Sequence, residues 1–86
     1  MSNIVLAAWR IGKSSSVSWC RFCRLWHWSN REDGQKYPHC REEDSPYKLT
    51  GYIVKTVGDI PEILSMDTRR RKPRGPAFFG FASEVV

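Results

Sequence analysis

The stretch Trp19-Cys20-Arg21-Phe22-Cys23-Arg24-Leu25-Trp26-His27-Trp28, followed after Asp33-Gly34 by Tyr37-Pro38-His39-Cys40, contains every cysteine and histidine of the 86-residue chain. Three thiols and two imidazoles within twenty-one positions point to a metal ion, most simply zinc, which takes thiolate and imidazole ligands in tetrahedral geometry. An odd cysteine count argues against a disulfide framework, which uses thiols in pairs. The chain is therefore expected in a reducing, intracellular compartment, cytoplasm or nucleus, where thiols serve metals better than disulfides. Trp26 and Trp28 alternate with Leu25 and His27, the period of two of a strand. Asp33-Gly34 supplies a tight reversal, so residues 24–36 read as a short β-hairpin between Cys23 and the return at Cys40.

A Cys-x-x-Cys turn, a hairpin and a second metal-binding turn together resemble zinc-ribbon and treble-clef fingers, over about residues 19–44. The resemblance implies structural zinc at Cys20, Cys23 and Cys40. The second turn departs from the family pattern, because Tyr37 stands where its first thiol would be. The fourth ligand must come from elsewhere. His39 lies at the return point and is the first candidate. On a strand His27 would be about 13 Å from Cys23, against about 6 Å on a helical turn, so it is the alternative. Glu43, three residues after Cys40, or a water completes the choices. A filled structural shell leaves no vacant position for metal chemistry.

The expected fold is a small zinc-stabilised, β-rich α+β domain, with short antiparallel strands around the zinc-knuckle hairpin and one short helix. Residues 1–68 form the single domain, 69–76 a basic extended segment and 77–86 a C-terminal strand and tail. At this length burial alone leaves a thin stability margin, which a metal commonly supplements. Within that frame residues 3–11 read as a first strand ending at Gly12, and residues 12–16 as a connector. Residues 47–57 are the longest strand-like run, with a bulge at Gly51. Asp59 followed by Pro61-Glu62 reads as a helix cap, with Ile60, Ile63 and Leu64 as the apolar face. Residues 77–82 read as a last strand. Residues 74–81 partly resemble the RNP1 signature of RNA-recognition motifs, although Pro76 replaces a stacking aromatic and Phe79 an aliphatic.

The net charge of +5 is unevenly placed. Arg10, Lys13, Arg21 and Arg24 make the first thirty residues wholly cationic, residues 31–45 are net acidic, and Arg69-Arg70-Arg71-Lys72-Pro73-Arg74 puts five cations into six positions. Such a run neutralises phosphates with salt-sensitive, sequence-independent affinity. It is equally what a solvated tail or targeting signal looks like. Four Trp, four Phe and three Tyr are more aromatics than so small a core needs, and some could serve stacking or docking. No apolar run approaches the roughly 20 residues of a membrane span. Paired catalytic carboxylates, phosphate loops and nucleophile constellations are absent from the sequence, so no enzyme and no small-molecule substrate are expected. The expected role is binding nucleic acid or a nucleoprotein complex through Arg69, Arg70, Arg71, Lys72 and Arg74, with Arg21 and Arg24 assisting. The alternative is a regulator or inhibitor, of the kind a virus or mobile element encodes, docking on a larger protein machine.

Overall fold

The computed structural model describes residues 4–36 and 50–85. Its centre is β1 (Val5–Ile11), a run of nearly continuous apolar residues because both of its faces are covered. β2 (Ser15–Cys20) pairs antiparallel with its second half, from Ala8↔Ser18 to Ile11↔Ser15. β3 (Leu25–Asn30) pairs antiparallel with all of β2. β4 (Gly34–Lys36) runs antiparallel to β5 (Tyr52–Asp59), and β5 lies parallel to β1. The sheet order is β3-β2-β1-β5-β4, with β6 (Glu84–Val85) pairing the first half of β1 on the edge that β2 leaves open. The small β-rich fold with a short helix is as expected. The strands of the hairpin and its neighbours pair antiparallel, as expected, whereas the central β1/β5 pair is parallel.

The hairpin also differs from the sequence reading. Its arms are β2 and β3, and its four-residue turn is Arg21–Arg24, closed by the Arg24 amide donating to the Cys20 carbonyl at 2.8 Å. Arg24 takes φ +54° to complete the reversal. The Cys-x-x-Cys unit is thus the tip of the hairpin, not one flank of it. Asp33-Gly34 makes no hairpin turn; it starts β4, and the Asp33 carboxylate accepts from the Thr56 amide and hydroxyl of β5. The bulge expected at Gly51 lies instead between Thr56 and Gly58, where the β1 register slips. Gly51 meets a different demand: a Cβ there would sit 2.6 Å from the Lys36 carbonyl, at φ +70°.

Each sheet face has its own apolar cluster. One holds Leu6, Ala8, Cys20, Tyr52 and Val54, with Phe22 and Cys23 against them. The other holds Ala7, Trp9, Ile11, Val17, Trp26 and Leu64. The second face is covered by α1 (Glu62–Thr68) and by a 3-10 turn at Pro76–Phe79. That turn stands where a last strand was expected, so the RNP1-like residues do not lie on a sheet. Asp59 does not cap α1 either. It ends β5 and pairs with Arg10 Nε at 2.7 Å, while the helix begins after Pro61 without a side-chain cap. Of the expected apolar face only Leu64 is fully buried; Ile63 is exposed and Asp67 is buried in its place.

Asp67 is fully inaccessible to solvent. Its carboxylate accepts from Trp26 Nε1 at 2.8 Å, from the Arg74 amide at 2.9 and 3.1 Å, and from the Gly75 amide at 2.9 Å. Burial alone would push its pKa up; the Arg74 amide, the Trp26 indole, the Gly75 amide and the Arg70 charge outweigh it and hold the pKa below the ordinary carboxylate value. Trp26 in turn makes edge-on contacts with Trp9 (5.9 Å) and Trp19 (5.4 Å). Gly75 is pressed against Trp19, where a Cβ would lie 2.5 Å from the indole at φ +85°. Residues 69–75 are therefore not a free extended tail. They are pinned to the hairpin at their far end.

Replacing Asp67 by Asn, which keeps the shape but turns a donor towards buried donors, should cost about 3 kcal/mol, since each unsatisfied buried group costs roughly 1–3 kcal/mol. The Asp67 contribution should be fully present above the unfolded pKa of about 4 and fade as pH falls through the lowered folded value. Urea unfolding of wild type and Asp67→Asn across that range checks both statements: the gap should be constant at neutral pH and narrow in acid.

Candidate metal centre

The turn at the hairpin tip positions two thiols, and the strand pairing brings the third donor to them. Cys20 ends β2 and Cys23 lies in the turn, with the Cys23 amide 3.4 Å from the Cys20 sulfur. His27 pairs directly with Ser18, and Cys20 with Leu25, so Cys20 and His27 are diagonal neighbours on one sheet face. The ligand atoms of Cys20, Cys23 and His27 all lie within 4.8 Å of one another. Around a tetrahedral zinc ion, ligand atoms stand roughly 3.5–3.8 Å apart. The three donors thus need only a small contraction to share an ion.

The expectation that a strand at 24–28 keeps His27 away is overturned. Distance along β3 from Cys23 is the wrong measure, because the chain has already reversed at Arg21–Arg24 and His27 returns beside Cys20. Cys40, His39 and Glu43, also drawn from the sequence, lie outside the described residues.

The surroundings of these donors are largely apolar. Cys20 and His27 are buried and Cys23 half-buried, beside Leu6, Ala8, Tyr52 and Val54. The His27 ring lies 5.9 Å from that of Tyr52. As metal ligands, two thiolates and a neutral imidazole would bring a charge of −2, which a divalent cation would cancel. Arg21 and Arg24 are both exposed in the turn. Arg21 also lies over the Phe22 ring at 5.1 Å and 3.9 Å from the Glu84 carboxylate, tying the tip to β6.

The basic residues separate into distinct places. Arg21 and Arg24 sit at the hairpin tip. Arg69, Arg70, Arg71, Lys72 and Arg74 are all exposed after α1, with the Arg74 guanidinium stacked on Phe78 at 4.5 Å. At the open end of the hairpin, an open groove of about 480 Å³ is lined by Arg10, Arg31 and Arg69 together with Trp28 and Ile60. Arg10 and Arg31 were not among the residues expected to bind an anion. They are remote from Arg69 in sequence, and only the strand register unites them.

If this cluster holds a metal, Co²⁺ substitution should give the intense visible bands of a tetrahedral thiolate site, with one ion per chain. His27→Ala should weaken binding by more than the roughly 10–100-fold that loss of an outer-shell partner costs, and Cys23→Ala by at least as much. Displacement of Co²⁺ by Zn²⁺, followed by absorbance, measures both. Comparison of this chain with protein-family models, with curated proteins and with solved structures finds no match.

Proposed function

We propose that the chain is a small zinc-stabilised binding module, not an enzyme, whose basic surface engages nucleic acid or a nucleoprotein assembly. Zinc is the ion that best suits two thiols and an imidazole, the donors that Cys20, Cys23 and His27 bring together. The ion's part is structural. It ties the hairpin tip on the sheet face opposite α1, in a chain short enough to gain from it.

The observation that carries the nucleic-acid reading is the attachment of the basic run. Arg69, Arg70, Arg71, Lys72 and Arg74 follow a helix and are anchored through the Arg74 and Gly75 amides to the buried Asp67 carboxylate. Cations held on a folded surface lose less conformational freedom on meeting a phosphate backbone than cations on a tail. Arg69 extends this surface into the groove beside Trp28. A second reading, docking on a larger protein, is favoured by Ile63, Met66 and Phe78, which are 46%, 62% and 61% exposed. No helix among the described residues is long and apolar enough to cross a membrane.

Native mass spectrometry with elemental analysis should find one zinc per chain, and removal of the ion by a strong chelator should lower the melting temperature. Affinity for an oligonucleotide should fall steeply with salt, and replacing Arg70 and Arg71 by Gln should reduce the log–log slope by about 1.4–1.8, two phosphate contacts' worth. A slope no steeper than that of a neutral control protein removes the nucleic-acid reading; capture of a protein partner that survives nuclease then favours the second.

A further inference from the structure

The groove at the open end of the hairpin combines features that the basic run alone does not have. Trp28 follows Trp26 by two residues on β3 and faces the same side, but it lies beyond the buried cluster and is 51% exposed. An exposed indole is costly to leave in water and has a flat face on which any nucleobase can stack. Three arginines line the groove with it. Arg31 donates from Nη2 to the Gly12 carbonyl at 2.8 Å and from Nε to the Ser15 carbonyl at 3.2 Å. Both acceptors are neutral, so the group is fixed in place while keeping its full charge. Arg10 is held through Nε by the Asp59 carboxylate, and Arg69 enters from the end of α1. Three cations against one carboxylate leave the groove net positive, beside an aromatic platform and the apolar side of Ile60.

We propose that this groove binds one nucleotide unit of a single strand, its base stacked on Trp28 and its phosphates held by Arg10, Arg31 and Arg69. The inference rests on the nucleic-acid reading above and sharpens it, because it specifies unpaired bases. A duplex offers its bases only edge-on in the grooves and cannot present a face to Trp28. A volume of about 480 Å³ falls within the roughly 300–1,000 Å³ of small-ligand clefts, enough for one nucleotide and not for a helix. DNA and RNA single strands share the base face and the phosphate, so the groove accepts either chemistry.

The test is fluorescence anisotropy of the full, zinc-loaded chain with labelled single strands of about eight nucleotides, DNA and RNA in separate arms, and with a duplex of matching length. Trp28→Ala should weaken single-strand binding by about 10-fold, and Trp28→Phe much less, because stacking contributes 1–3 kcal/mol per base. Duplex affinity and the salt slope should be the same in all three proteins. Arg69→Gln should lower the slope by about one. Single-strand binding unchanged by Trp28→Ala overturns the groove assignment and leaves the wider reading standing. An equal loss on duplex and single strand overturns it too. Absence of binding to every nucleic acid by the wild-type chain overturns both.

Discussion

The buried contact between the Trp26 indole and the Asp67 carboxylate is the constraint on which the rest of the molecule is organised. It joins the hairpin to α1 across 41 positions of sequence. A carboxylate fully removed from water is expensive unless every lone pair is used, and here an indole and two backbone amides use them. Because the two amides belong to Arg74 and Gly75, the same charge that anchors the helix also fixes the chain that follows it. The register of Trp26 then sets the positions of Trp9 and Trp19 on one face and of His27 on the other.

The two faces divide the work. The helix side is held by aromatic packing and by Asp67. The opposite side carries the thiols and imidazole, close to Tyr52 and Val54. Neighbouring residues of one strand serve both purposes, Trp26 turned towards the helix and His27 towards the donors, because successive side chains on a strand point to opposite faces. A substitution that slipped β3 by one residue would exchange the two and ruin the packing and the donor set together.

Much of this was legible in the chain, and what was not has physical reasons. The first strand, the longest strand, the short helix and the Cys20–Cys23 pair follow from local pattern and spacing. The hairpin was displaced because Asp33-Gly34 is the better turn dipeptide by propensity, whereas the observed turn rests on Arg24 in a left-handed conformation that few non-glycine residues take. His27 was set behind His39 for the same reason: separation along a strand is informative only when the point of reversal is known. The part played by Asp67 is not legible locally, since nothing in the neighbouring sequence shows that Trp26 and two amides converge on it. Arg10 and Arg31 carry no motif at all, and their meeting with Arg69 is a property of strand pairing.

The spacing of the donors bears on the order in which the molecule assembles. Cys20, Cys23 and His27 span eight consecutive residues, so gathering them closes a very small loop, whereas β1 must find β5 nearly fifty residues away and pays a larger closure entropy. An ion can therefore load onto a nascent hairpin before the parallel pair has formed. The slow, non-local step would then start from a preformed corner of the domain, with Trp26 already turned towards the side where Asp67 will arrive.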